Sequence, residues 1–474
     1  MRKHTRLILA GGSILAAGCL GGEKSLPSET ENPGGALAAA AAGFKTAKPA
    51  YLVPTAPGVV VDPILSTGDI VGSYQMSGIP DGLGGYKTGN TLQLFMNHEL
   101  DHTFPPPPFN NGSDARISQL RLNPDTRGVI EGSYPFTGNE AFTRFCSSTL
   151  AKLGGTYWYL TGEETISSGH FGSSIAMNAE TGSWVETPHF GKMQHENVLP
   201  LEGLSRAVLI TTDDDFTTNV PSYLYAYIGN SKNFEDAIVS DDGDLYVWRA
   251  DDPAATPAAM IKGQSIEGHF VPVSDAAARL SPAALKAEAA TKNAGRFIRL
   301  EDAAASQKHA GLFYFGDTGK TPSYDPRGRV YQMQVDKHDP TQATLTLLLS
   351  GGQGDDIYNP DNLGTSEHSL VIQEDRNSEF RDAAFGGGYG RVLVYDLDTG
   401  TLRPVARVNT PPPLRPGTWE SSGAIHADKL LGKDWWLVDV QAHEVLAPQP
   451  GPSLAPNSAA GEDGQLLAIK IPNS

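Results

Sequence analysis

The feature that most constrains this chain is a strand–turn–strand unit that keeps returning. Ser173–Thr187 reads as an apolar run, the polar turn Asn178-Ala-Glu-Thr-Gly182, and a second short run. Gly390–Val408 repeats the scheme as Arg391-Val-Leu-Val-Tyr-Asp-Leu-Asp-Thr-Gly400 followed by Thr401–Val408, and Gly328–Leu349 gives a looser copy around Asp336–Thr341. Asp, Asn, Gly or Pro between two apolar runs is a hairpin signature. Further short strands are predicted at Thr91–Met96, Tyr157–Thr161, Ala207–Thr212, Tyr223–Ile228, Leu245–Arg249, Leu312–Phe315, Leu370–Gln373 and Trp435–Asp439. Hairpins at irregular spacing over so long a chain fit sheets arranged radially around an axis, so the expected fold is all-β, a single-domain β-propeller with loop and short helical insertions. A β-sandwich pair or a β-helix is the competing architecture. The one helical stretch, Pro282–Thr291, is expected in a loop insertion between blades.

The N-terminus has the layout of an export signal. Arg2, Lys3 and Arg6 precede an apolar, small-residue stretch from Leu7 to Leu20, too short for a stable membrane span. Ala16-Ala17-Gly18-Cys19 resembles a lipobox, which leaves lipidation at Cys19 or plain cleavage open. Residues 1–22 are therefore read as a signal peptide or lipoprotein leader. Residues 23–48, rich in Ala, Gly, Pro and Ser, are read as a tether, and residues 49–474 as the propeller. The expected location is outside the cytoplasm: periplasmic, anchored at the outer membrane as a lipoprotein, or extracellular.

A net charge of −18 argues against nucleic-acid binding and repels anionic ligands, unless bound cations reverse the field locally. Acidic clusters fall just after strand-like runs: Glu163-Glu164, His195-Glu196, Asp213-Asp214-Asp215, Asp241-Asp242-Gly-Asp244, Asp355-Asp356, Asp361-Asn362 and Glu374-Asp375. Carboxylates at several strand ends are hard oxygen donors suited to Ca²⁺. With Cys19 in the leader, Cys146 has no intramolecular partner. It is either a buried inert thiol or a ligand for a softer metal beside the carboxylates. His98-Glu99-Leu100-Asp101-His102 matches the H-E-x-x-H zinc-peptidase pattern, which works only on a helix. The alternating Thr91–Met96 before it and the prolines 105–108 after it predict a strand end instead. No G-x-S-x-G elbow, Walker A loop, dinucleotide fingerprint or C-x-x-C pair is present.

Short motifs in a fixed order resemble the PhoX-type alkaline phosphatase family, secreted proteins carrying the DUF839 domain. Asn97-His98-Glu99, Cys146 with Gly162-Glu163-Glu164, Gly191–Glu196, Thr212-Asp213-Asp214, Gly243–Tyr246 and Phe297-Ile-Arg299-Leu-Glu301 carry the resemblance. It continues through Asn359–Leu363, Gln373-Glu-Asp375, Glu420–Gly423 and Val440–His443. Leu300 stands where the family has Pro, Thr165 where it has Asn, Ser148 and its neighbours replace a Gly-rich stretch, and there is no twin-arginine leader. The resemblance implies a propeller whose axial Fe³⁺ and Ca²⁺ ions hydrolyse phosphate esters. It implies Cys146, Glu196 and Glu301 as iron ligands, Glu164 and neighbouring acids on calcium, and Glu99, Asp214, Asp361 and Glu420 within the same metal-holding set. Arg299 would face the phosphate of a small phosphorylated substrate. The expectation is an exported, monomeric phosphatase. The alternative is a non-catalytic, calcium-stabilised surface propeller that binds a ligand.

Overall fold

The computed structural model describes residues 42–100, 114–217, 219–376, 388–446 and 462–474. Its antiparallel strands form a β-propeller. Blade 1 is built from Pro80–Thr88, Thr91–His98, Arg116–Leu122 and Val129–Phe136. Blade 2 is built from Phe145–Leu153, Thr156–Glu163, Ser174–Asn178 and Trp184–Glu186. Blade 3 (His195–Leu201, Val208–Asp213, Leu224–Gly229, Gly243–Ala250) joins blade 4 (Leu300–Ala305, Leu312–Asp317, Arg329–Val335, Gln342–Ser350). The bridge between them is Ser265–Pro272, which pairs with the outer strands of both. Blade 5 is formed by Pro360–Thr365, Ser369–Glu374, Arg391–Asp396 and Leu402–Val408, with Leu52–Pro54 added at its edge. Blade 6 takes Glu420–His426, Trp435–Leu446 and Glu462–Lys470 from the C-terminal end of the chain and Val60–Ser66 from the N-terminal end. Pairing of the first strand region with the last closes the ring without a covalent link, and only pairing and packing hold it shut.

Each blade is apolar on both faces because each is sandwiched between two others. Along one strand of blade 1, Leu94 and Met96 pack with Leu437 and Leu466 of blade 6, while Phe95 packs with Tyr159 and Ile175 of blade 2. Leu209 and Ile210 divide in the same way between the blade 2–3 and blade 3–4 contacts. Strands covered on both sides read as continuous apolar runs such as Arg391-Val-Leu-Val, and each fully buried Leu, Ile or Val contributes roughly 1.5–3 kcal/mol. From Phe44, which bridges Val129, the N-terminal segment lies against this body: Lys45 pairs with Asp62 at 2.6 Å and Lys48 with Asp463 at 3.2 Å.

The helix Pro282–Thr291 sits where the sequence placed it, between blades 3 and 4, started by Pro282 and capped by Ser281, whose side chain accepts from the Ala284 N–H. No helix of the described residues is long and apolar enough to cross a membrane.

Candidate metal centre and active site

Five blades carry the same irregularity in their innermost strand. Between Pro80 and Leu83, the residues Asp81-Gly82 oppose Asn97 alone. Cys146-Ser147 likewise oppose Gly162, Glu196-Asn197 oppose Thr212, Glu301-Asp302 oppose Gly316, and Asp361-Asn362 oppose Gln373. Two residues against one is a β-bulge, which re-aims side chains that a regular strand would alternate between faces. In blade 6 the irregularity comes later, at Gly423, and Glu420 opens the strand. Crowding at the axis shows at Gly82, where a Cβ would fall 2.5 Å from the Ser148 nitrogen and 2.6 Å from the Cys146 carbonyl oxygen.

The end of each second strand adds a second contributor. Glu163-Glu164, Asp213-Asp214 and Glu374-Asp375 are adjacent pairs with opposite tasks. The first member turns back into its own blade. Glu163 accepts from the Thr143 N–H (2.8 Å), the Ser168 hydroxyl (2.7 Å) and the Gly172 N–H (3.1 Å). Glu374 accepts from the Tyr358 N–H (3.0 Å) and pairs with Arg376 and Arg391. Asp213 pairs with Lys286 at 2.8 Å. Asp317 occupies the same place in blade 4 and accepts from the N–H groups of Ile298 (3.1 Å) and Arg299 (2.9 Å). The second member of each pair reaches the axis.

The result is a cavity of about 510 Å³ at one end of the axis, lined by Asp81, Glu99, Cys146, Glu164, Glu196, Glu301, Asp361, Asp375 and Glu420, with Arg144, Arg299, Lys320, Phe216 and His443. Ligand atoms group into overlapping triplets, each within 4.8 Å: Asp81–Glu99–Cys146, Cys146–Glu164–Glu196, Glu164–Asp214–Glu301, Glu196–Glu301–Asp361 and Asp361–Asp375–Glu420. All of the sequence-predicted residues therefore converge, from positions 99 to 420. Asp214 stands slightly apart, fully buried behind Arg299, which it holds through the Arg299 Nε at 2.9 Å and a second contact to the guanidinium. Arg299 also lies 3.2 Å from Glu301. Arg144 bonds Glu164 at 2.7 Å and pairs with Glu99, and the Cys146 thiol donates to Glu164 at 2.9 Å.

Burial is the main electrostatic cost here. It pushes the Glu196, Glu301, Asp361, Glu420 and Asp81 carboxyls well above the usual range, with neighbouring carboxylates adding to the effect, and it pushes up the Cys146 thiol. Asp214 is pushed up to about 7 by burial against the opposing pull of Arg299. The triplets hold nine carboxylates and one thiol, and they are faced by Arg144, Arg299 and Lys320, with His443 between Glu420 and Glu462. A low-dielectric cavity does not hold so many like charges ionised without further cations, and oxygen donors in overlapping triplets with a single sulfur are a donor set that fits metal ions.

Beneath the ligands, second residues of the bulges such as Ser147 and Asn362, with Ser422 and Gln441 of blade 6, form a polar floor. Ser147 donates to Glu196 (2.5 Å), Asn362 to Asp81 (3.0 Å) and Ser147 (2.9 Å), Ser422 to Asn362 (3.0 Å), and Gln441 to Asp81 (3.1 Å) and Glu99 (3.0 Å). These bonds fix the acids' orientation as supporting shells do in metal sites.

Other acidic clusters do not reach the axis. Asp241 pairs with Arg279, Asp355 with Lys262 at 2.5 Å, Asp356 with Arg391 at 2.7 Å, and Asp215 with Lys286 at 2.6 Å. His98 closes the strand Thr91–His98, bonded to the Gly78 carbonyl (2.8 Å) and Ser118 (2.7 Å), and burial lowers it to about 3. A strand there excludes the zinc-peptidase geometry. His102 lies outside the described residues. Sequence reasoning missed Asp81, Arg144, Phe216 and Lys320, and also Glu462, which lines the same cavity and pairs with His443 at 2.5 Å. Asp81 sits in an Ile-Pro-Asp-Gly turn-like string with no acidic neighbour, and only its place after Pro80, matching Pro360-Asp361, marks it.

No protein-family model matches the chain, and no curated protein matches it. Pseudomonas fluorescens PhoX, solved in complex with vanadate, a transition state analogue, superposes with a TM-score of 0.59 at 16% identity over 90% of this chain and 98% of that one. A protein of unknown function from Dyadobacter fermentans DSM 18053 superposes with a TM-score of 0.44 at 9% identity over 87% and 99%. At such identities the likeness to PhoX speaks for the fold.

Proposed function

We propose that this chain is an exported phosphatase that hydrolyses phosphate esters of small molecules at cations held between the axial acids and Cys146. The observation that carries the reading is the unbalanced charge of the axial cavity: nine carboxylates and a thiol against Arg144, Arg299, Lys320 and His443. The all-oxygen triplet Asp361–Asp375–Glu420 suits Ca²⁺, and Cys146–Glu164–Glu196 suits Fe³⁺. Bound cations supply the local positive field that admits a phosphate to an acidic protein and stabilises the charge of its transition state. Arg299 adds a planar, permanently charged donor, and Asp214 fixes its orientation before substrate arrives. Phe216 lies 5.9 Å from the guanidinium carbons of both Arg299 and Arg144 and shields that side of the cavity. The PhoX structure, a propeller that binds vanadate, supports the reading.

The test is hydrolysis of p-nitrophenyl phosphate and bis-p-nitrophenyl phosphate by the metal-loaded protein, with elemental analysis alongside. Expected is turnover of at least the monoester, lost on chelation and in Cys146→Ala. No turnover, or turnover indifferent to both treatments, refutes the proposal. Calcium alone with no turnover points instead to a ligand-binding surface propeller.

A further inference from the structure

Outward from the axial cavity, between blades 3 and 4, runs a groove whose lining differs sharply from the rest of the molecule. Lys320 lines both the axial cavity and an adjoining hollow of about 250 Å³. Arg296, Phe297 and Tyr324 line that hollow and also a further one of about 600 Å³, walled by small apolar residues such as Ala255, Pro257 and Ala294. The shared residues place the three spaces side by side, in the order axial cavity, small hollow, larger hollow.

Among the described residues no carboxylate lines either outer hollow, in a chain with 54 Asp and Glu against 36 Lys and Arg. Three cations do: Lys320, Arg296 and Arg249. Among the described residues, none of them has a carboxylate within ion-pair distance. Lys320 donates to the Phe216 carbonyl, Arg296 is exposed, and the Arg249 Nε is buried with no hydrogen-bond partner. On a surface this acidic, cations left without carboxylates around an apolar hollow are complementary to an anion attached to an apolar body.

We propose that this groove is a leaving-group subsite: it takes the organic part of a phosphate ester that bears a second negative charge, the ester phosphate lying in the axial cavity and the second anion at Arg296 and Arg249. The inference rests on the phosphatase reading for the role of the axial end, but the groove's preference for an apolar anion is testable without turnover.

Two esters differing only in that charge decide the matter: 4′-carboxybiphenyl-4-yl phosphate and biphenyl-4-yl phosphate. The native protein is expected to prefer the carboxylated ester about tenfold in kcat/KM, the worth of one charge-assisted contact, and Arg296→Gln combined with Arg249→Gln to bring the ratio near one. In parallel, the phenols 4′-hydroxybiphenyl-4-carboxylate and 4-hydroxybiphenyl are titrated calorimetrically into native and variant protein, with the same ordering expected. A preference in binding that the variant loses, without hydrolysis of any ester, upholds the subsite and overturns the phosphatase. The absence of any preference in the native protein, or a preference that survives in the variant, overturns the subsite.

Discussion

Asp317 holds the backbone that carries Arg299, and replacing it separates two physical effects. Its buried carboxylate accepts from the N–H groups of Ile298 and Arg299, directly ahead of the innermost strand of blade 4, and from the Tyr324 hydroxyl at 3.3 Å. Asp317→Ala leaves both part-buried donors without that acceptor. At about 0.5–1.5 kcal/mol net for each hydrogen bond lost, the loss is roughly 1–3 kcal/mol. Asp317→Asn keeps one acceptor oxygen and is expected to cost about half as much, measured by urea unfolding at pH 8 with metal held constant.

The pH dependence goes the other way and serves as the check. Burial raises Asp317 from 3.8 to about 6, so the native state holds that proton more tightly than the unfolded chain does. The ionised group therefore costs stability at neutral pH, and the cost is relieved as pH falls through 6 toward 4. At 1.36 kcal/mol per pH unit, the wild type gains about 3 kcal/mol relative to Asp317→Asn across that window, because the amide does not titrate. Groups common to both proteins cancel in the difference. Equal stability of the Ala and Asn variants, or a wild-type-minus-Asn difference flat between pH 8 and pH 4, would refute the account of Asp317 as a buried strap on the Ile298–Arg299 backbone.

Three further outcomes follow from the same geometry. Arg299→Gln is expected to lower kcat/KM by about a hundredfold or more while leaving cation content intact, and Arg299→Lys not to restore it, since an ammonium cannot reproduce the planar fork; kinetics with elemental analysis decides. Glu164→Gln is expected to reduce bound cation, whereas Glu163→Gln, one residue earlier, leaves cation content unchanged and lowers the unfolding free energy by roughly 1–3 kcal/mol through its lost bonds to Thr143, Ser168 and Gly172. Cys146→Ser is expected to deplete iron more than calcium, because the exchange removes the one soft donor from a site otherwise made of oxygen.

The propeller was legible because hairpin turns are written locally: Asn178–Gly182 and Asp396–Gly400 turn the chain whatever surrounds them. The nine acids were only partly legible, and the reason is geometric. In Glu163-Glu164, Asp213-Asp214 and Glu374-Asp375 a sequence shows two equivalent carboxyls, yet the period of two along a strand sends one into the blade and the other to the axis. The bulges invert that rule. At Glu196-Asn197, Glu301-Asp302 and Asp361-Asn362 two consecutive residues serve the axis, one as candidate ligand and one as floor. A bulge has no composition of its own, so no motif within one blade discloses it. What discloses it is the comparison between blades: a residue that begins an innermost strand, an acid or Cys146 next, and Gly, Ser, Asn or Asp after that. Asp81-Gly82 fits this frame as well as Glu301-Asp302 does, although it has no acidic neighbour and belongs to no acidic cluster. The frame thus assigns Asp81 to the ligand ring on the same footing as the residues that the ordered motifs pointed to. It follows that Asp81→Asn should reduce bound cation as Glu164→Gln does, despite leaving every acidic cluster in the sequence untouched.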